Sequence, residues 1–171
     1  GLSIRHPARF VLIGSGNPEE GELRPQMLDR FGLSVEVRTP QDLAQRIDII
    51  KRRDAFERDP VGFLAQYEDS ETEFKEKILS SRKRLAKVTV GDDVLTLATK
   101  LCAQLGTDGL RGELTLMRGM RALAAFDGAR KATTEHLKRL APLALRHRLR
   151  RNPLDDSSST TRVERVLADF F

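Results

Sequence analysis

A chain of 171 residues, 39% hydrophobic and 32% charged, has the make-up of a helical protein with one domain, or with a large and a small one. No apolar run approaches the roughly 18 residues that a membrane span needs, and Cys102, the single cysteine, excludes a disulfide within one chain. The net charge of +5 raises nucleic acid as a partner, yet the basic clusters at 51–53, 82–84 and 146–151 are separate. With 5% aromatic content and no tryptophan there is little for base stacking, so solvated helix faces and subunit contacts account for the charge better.

The first element is the apolar run Phe10-Val11-Leu12-Ile13, set between Arg9 and Gly14-Ser15-Gly16, which predicts a buried parallel strand. Asn17 then stands at that strand's C-terminal tip, the edge of an α/β sheet where ligands bind; Asn17-Pro18 is also an ordinary turn initiator. Pro25 suits the first position of a short helix running to Phe31, with Gly32 as its cap. With Leu28 and Phe31 facing inward, Arg30 faces outward in the last turn, where the helix dipole favours a cation in any case. Alternating Leu33-Ser34-Val35-Glu36-Val37 reads as a second strand.

Helices dominate from there on. Thr39-Pro40 begins one to about residue 58, with Leu43, Ile47 and Ile50 on one face. Asp59-Pro60 opens another carrying Phe63, Leu64 and Tyr67; the acidic stretch 68–73 interrupts its apolar face before a helix resumes over 72–85, which leaves one helix or two open. Residues 87–90 are β-prone. Asp92 and Asp93 then start a core helix with Leu97, Leu101 and Leu105 in a stripe beside Val94, Ala98 and Cys102, ended by Gly106. Cys102 is expected as a small buried hydrophobe.

Asp108 is the expected cap of a helix from about 110 to 127, with Leu110, Leu114, Met117 and Ala124 toward the core and Arg118 and Arg121 toward solvent or a subunit. Arg111 falls in its first turn, where the dipole disfavours a cation unless an anion lies between the guanidinium and the free amides. That argues for phosphate at Arg111; a pairing with Asp108 or Glu113 is the plainer alternative. Thr133 should cap a long last helix to about 151, burying Leu137, Leu140, Ala141, Ala144 and Leu145 and bent at Pro142. Six Lys and Arg residues lie between 138 and 151 with no acid among them, and His147 has no metal-ligand spacing around it. After Asn152-Pro153, 157–159 reads as a linker and 160–171 as a weak amphipathic helix with Val163, Val166, Leu167 and Phe170, frayed unless it docks on another subunit.

The order strand, Asn17, then Asn-Pro-Glu-Glu-Gly-Glu-Leu-Arg-Pro-Gln (17–26), Leu-Asp-Arg-Phe (28–31) and a second strand resembles the nucleotide-binding module of AAA+ ATPases, in particular the I subunit of magnesium chelatase. Leu-Arg-Gly-Glu-Leu-Thr-Leu at 110–116 is similar to that branch's sensor 2 segment. The resemblance covers about residues 1–154. It implies an α+β, mostly α chain: two strands and a short helix from the end of an α/β sheet over 1–39, a helical lid bundle over 40–154, and a linker with a terminal helix over 155–171. It makes Asn17 the sensor 1 residue, Arg30 the arginine finger that reaches a neighbouring subunit's ATP, and Arg111 the sensor 2 contact.

No GxxxxGK(S/T) phosphate loop is present, and no apolar strand ends in an acidic pair for magnesium. The first seven residues carry no initiator methionine and no targeting character. These residues are therefore expected to belong to a longer protein and not to hydrolyse ATP alone. For the whole subunit the resemblance implies ATP and Mg2+ as cofactors, with most of their ligands outside this chain. It also implies a homo-oligomeric ring, a hexamer, working with a related D subunit and a large porphyrin-binding subunit. The work is Mg2+ insertion into protoporphyrin IX in (bacterio)chlorophyll synthesis, in a bacterial cytoplasm or a plastid stroma. A MoxR-type AAA+ chaperone shares the same layout and is the alternative; a DNA-remodelling ATPase is disfavoured because the basic clusters form no continuous stripe.

Overall fold

The computed structural model describes residues 3–5, 7–8, 10–17, 21, 23–149 and 159–171. It is mostly helical. α1 (Pro25–Leu28) begins with proline at its first position, follows Arg24 as N-cap and lasts a single turn, shorter than the two turns expected. The expected strands at 10–13 and 33–37 join no ladder among the described residues: Phe10 is 75% exposed, Ile13 90% and Val37 91%. A strand is stable only when a neighbour takes up its N–H and C=O groups, and no described segment lies alongside to do so. The Ser34 N–H instead donates to the carbonyl of Leu143, 2.8 Å away.

α2 (Leu43–Arg58) is capped by the Asp42 carboxylate, which accepts from the Ala44 N–H at 3.2 Å; the start therefore lies three residues beyond Pro40. Its Leu43, Ile47 and Ile50 face, expected to be covered, is exposed. Ion pairs one turn apart, Asp48–Arg52, Arg53–Glu57 and Asp54–Arg58, supply local support of a few tenths of a kcal/mol each, ~0.3–0.5. α3 (Pro60–Ala65) is capped by Asp59 on the Gly62 N–H, and Phe63 meets Phe56 edge-on with 5.7 Å between ring centres. α4 (Glu68–Leu85) is a separate helix. Its acidic run does not interrupt a helix but opens one, with Glu68, Asp69 and Glu71 in the first turn and Arg82, Lys83 and Arg84 in the last, both ends matching the dipole.

β1 (Thr89–Val90) pairs in parallel with β2 (Lys131–Ala132), the only ladder among the described residues. Between them run α5 (Asp92–Leu105), ended by Gly106 at φ +68°, and α6 (Arg111–Phe126). α5 buries Val94, Ala98, Leu101, Cys102 and Leu105 as its spacing predicts. In α6 the register differs from expectation: Leu110 is 71% exposed and Leu114 45%, while Gly112, Leu116, Met120, Ala124 and Ala125 are buried. Ala124 is buried as expected; the expected set 110, 114, 117 and 124 and the buried set 112, 116, 120 and 124 both have helical spacing, so periodicity alone does not choose between them. The buried one carries the glycine that lets α6 approach α5 closely: a methyl on Gly112 would sit 3.3 Å from the Cys102 sulfur. The N-cap is Leu110, with no side-chain cap bond, rather than Asp108.

α7 (Thr134–Leu145) opens with a capping box: the Thr133 side chain accepts from the N–H of His136, and His136 Nδ1 accepts from the Thr133 N–H at 2.9 Å. It buries Leu137, Leu140, Ala141, Ala144 and Leu145, all as expected, but stops at Leu145 and tightens into a 3₁₀ turn, Arg146–Arg148. The expected linker falls mostly outside the described residues. α8 (Ser159–Phe170) is not frayed; it lies on α5 and α7 with Val163 fully buried and Val166, Leu167 and Phe170 packed against the same core. A 12-residue amphipathic helix is marginal by itself. Here its apolar stripe has found a groove on its own chain.

Candidate functional site

The site forms where the turn after α1 meets the ends of α6 and α7. Asp29 follows α1 as its C-cap, with its N–H bonded to the Pro25 carbonyl at 3.0 Å; the Arg30 N–H bonds Met27 O and the Phe31 N–H bonds Leu28 O, each at 3.0 Å. This leaves the carbonyls of Asp29, Phe31 and Gly32 to be satisfied elsewhere. Arg148 does it. Its Nη2 donates to Phe31 O at 2.7 Å and to Asp29 O at 3.2 Å, and its Nη1 donates to Gly32 O at 3.1 Å and to Ala144 O. Nε lies 3.3 Å from Asp29 Oδ1, an ion-pair distance rather than an aligned hydrogen bond.

The Arg148 side chain is only 4% exposed. Burial pulls its pKa down, the Asp29 charge opposes that, and Arg111 reinforces it. A buried guanidinium is tolerated only when it is paired and hydrogen-bonded; here four carbonyls take up the Nη donors and the Asp29 carboxylate offsets the charge, while Nε makes no aligned hydrogen bond. His147 sits beside it, with Nε2 3.0 Å from Phe31 O and 2.7 Å from Arg148 Nη1. Burial lowers the His147 pKa, the Phe31 carbonyl raises it, and Arg148 lowers it again. The neighbouring Arg146 pairs with Glu36, which together with Arg38 holds the Glu36 carboxyl below its usual range.

Arg111, the first residue of α6, pairs through Nη1 with Asp29 Oδ2 across 82 positions of sequence. Neither Asp108 nor Glu113 is its partner in this pair. The anion that Arg111 meets is therefore a carboxylate of this chain, reached through its guanidinium. Asp29 thus joins Arg111 to Arg148, and Arg30 is the next residue. The Arg30 side chain is exposed and has no ion-pair or hydrogen-bond partner among the described residues. Asn17 is exposed at the end of the 10–17 segment, whose Gly14 passes the Phe31 ring at 3.9 Å from a Cβ position.

Of the three residues singled out in the sequence, Arg111 pairs with Asp29, Arg30 follows Asp29 in the chain with its side chain exposed, and Asn17 lies at the end of the 10–17 segment. The reading overlooked Asp29 and Arg148. The signal for Arg148 was the basic run without acids: its members take partners from distant elements, Arg139 from Asp127, Arg146 from Glu36, and Arg148 from the turn at 29–32.

Residues 95–166 match the AAA lid domain family. Over all 171 residues the chain is 60% identical to the magnesium-chelatase 38 kDa subunit of Acidiphilium rubrum, covering 50% of it. It is 56% identical over 169 residues to that of Rhodobacter capsulatus, covering 48%, and 46% identical to magnesium-chelatase subunit ChlI of Guillardia theta, again covering 48%. The chain thus spans about half the length of the curated relatives it matches. A crystal structure of a candidate ATPase from Cytophaga hutchinsonii shares the fold, with a TM-score of 0.60 at 18% identity, over 86% of this chain and 48% of that one. Across its whole length the chain is thus similar to the C-terminal half of magnesium-chelatase I subunits, and over residues 95–166 to AAA lid domains.

Proposed function

We propose that this chain is the arginine-finger and lid portion of the ATPase motor subunit of magnesium chelatase, which couples ATP hydrolysis to Mg2+ insertion into protoporphyrin IX. The observation that carries this reading is the arrangement around Asp29: the backbone of Arg30 is held while its side chain stays exposed, with no partner among the described residues, and Arg111 pairs with the preceding residue, Asp29. Phosphoryl transfer asks a protein mainly for positioning and for charge opposite the phosphates. An exposed arginine on a held turn fits an anion presented by a neighbouring subunit, and a finger of this type contributes roughly 10³ to 10⁵ in rate.

In this reading residues 1–39 close a nucleotide-binding module, 40–154 form the lid, and 155–171 add the terminal helix that packs on it. Asn17 orients the attacking water or the γ-phosphate. Arg111 exchanges the Asp29 carboxylate for phosphate when ATP is bound, so that the lid responds to the nucleotide. The phosphate-cradling amides and the Mg2+ ligands of the nucleotide come from residues outside this chain. Because the finger works across a boundary, the motor is a ring, a hexamer, acting with a D subunit and a large porphyrin-binding subunit in a bacterial cytoplasm or plastid stroma. Mg2+ gives up its water shell reluctantly, which is the step that makes an ATP-driven motor useful.

The test is ATPase activity of the full-length subunit carrying Arg30→Ala, alone and mixed with a variant disabled in the phosphate-loop lysine. Neither variant is expected to turn over alone, and their mixture is expected to regain activity at mixed interfaces. Wild-type turnover by Arg30→Ala alone would refute the assignment.

A further inference from the structure

We propose that Arg148 is a positioning residue for Arg30: it clamps the turn that carries the finger to the C-terminal end of α7, so that movement of the lid sets where the finger points. The inference rests on the reading of Arg30 as a finger. It starts from what does not hold that turn. α1 has four residues, none of them buried, far below the length at which a helix sustains itself. Segments 10–17 and 33–37 on either side join no ladder among the described residues.

What remains is the Arg111–Asp29 pair on the N-terminal side of Arg30, and contact with the end of α7. Ser34 N–H bonds Leu143 O, Arg146 pairs with Glu36, and His147 reaches Phe31 O. All three act on the C-terminal side of Arg30. Arg148 alone among these groups grips both sides, through the carbonyl and carboxylate of Asp29 before the finger and the carbonyls of Phe31 and Gly32 after it. The same guanidinium bonds Ala144 O in the last turn of α7. A planar fork with five donors can serve these acceptors together, whereas a lysine ammonium at the same place keeps the charge but cannot span them.

The experiment compares Arg148→Lys and Arg148→Ala with Arg30→Ala in the full-length subunit, each alone and each mixed with the phosphate-loop-lysine variant. For Arg148→Lys the expected result is a fall in kcat of roughly 10- to 100-fold, the effect of misplacing a catalytic group by about an ångström, with KM for ATP little changed. The mixture should recover, because the nucleotide site of the Arg148 variant is then completed by an intact finger from its neighbour. Turnover equal to wild type, or a loss that the mixture leaves in place while Arg30→Ala is rescued, would overturn the inference. Failure to rescue Arg30→Ala itself would instead sink the finger reading and the inference built on it.

Should Arg148→Ala not assemble, amide hydrogen exchange of Arg148→Lys gives the answer directly. The amides of Arg30, Phe31 and Ser34 should exchange about tenfold faster or more while those of α5 and α6 keep their protection. Unchanged exchange across 29–34 would overturn the clamp.

Discussion

Gly119, in the middle of α6, marks the closest approach of that helix to α7, and replacing it with alanine sets two effects of opposite sign against each other. Filling a glycine inside a helix gains about 0.5–1 kcal/mol from reduced backbone freedom in the unfolded chain. The new methyl, however, would lie 2.4 Å from Leu140 Cδ2, 3.0 Å from Cδ1 and 3.3 Å from Cγ. Leu140 is 5% exposed, and because its Cγ is also crowded, turning the terminal methyls alone does not clear the overlap. Overpacking of this kind costs about 1–3 kcal/mol. The packing cost therefore wins by roughly 1–2 kcal/mol, which for a chain of this size is a fall in Tm of about 2–8 °C. Gly112→Ala is the internal control: its methyl would meet Cys102, Leu145 and Thr107 at 3.3 to 3.5 Å, with no contact under 3.0 Å, and should lower Tm less than Gly119→Ala does. Thermal unfolding followed by the helical circular dichroism signal reads both. In a Leu140→Ala background Gly119→Ala should reverse sign and stabilise, because the methyl then fills vacated space. A Gly119→Ala chain melting at or above the unsubstituted one, or a double substitution that shows no reversal, would refute the close-crossing argument.

Cys102 is fully buried, and burial, with the Glu113 charge adding to it, pushes its thiol pKa up to about 11. Since the thiolate is the reactive form, a thiol reagent at pH 8 should modify the folded chain only at the rate of unfolding and react at once in denaturant; prompt labelling of the folded chain would count against this packing. His147 predicts a pH dependence. Its pKa is lowered in the fold, by burial first and by Arg148 as well, so the stability it contributes is present above the unfolded histidine value of about 6.5 and is lost as the pH falls through the lowered folded value. Denaturant unfolding between pH 7.5 and pH 5 should show stability declining on the acid side, with the decline reduced in His147→Gln; an identical profile in that variant would remove His147 as its source.

Much of the helical body was legible because its signals are local. The stripe Val94, Ala98, Leu101, Cys102 and Leu105 has one consistent face, Gly106 ends the helix in the left-handed conformation that glycine adopts freely, and Thr133 caps α7 where its sequence says it should. Errors arose where two local answers were equally good. In α6 either of two stripes of helical spacing could be buried, and the choice went to the one that carries Gly112. The acidic run at the head of α4 is a poor apolar face but a good helix start, and the dipole decided in favour of the latter. α8 carries a stripe too weak to predict its own order, and only a groove between α5 and α7 gives that stripe something to cover.

By itself the sequence determined which chemical groups are available: an arginine in an Asp-Arg-Phe turn, an arginine at the head of a helix, and a basic run with no acids of its own. It carried the resemblance to magnesium-chelatase I subunits as well, because the motif around 17–31 and the segment at 110–116 are short, dense and specific. Pairing was decided only in three dimensions. That Asp29 would lie between Arg111 and Arg148, 82 and 119 residues away, depends on how α6 and α7 cross, and no periodicity or spacing encodes that crossing. The apolar strands at 10–13 and 33–37 show the converse: their sequence states what they would form, but a strand's hydrogen bonds belong to its neighbours, and here the described chain provides none.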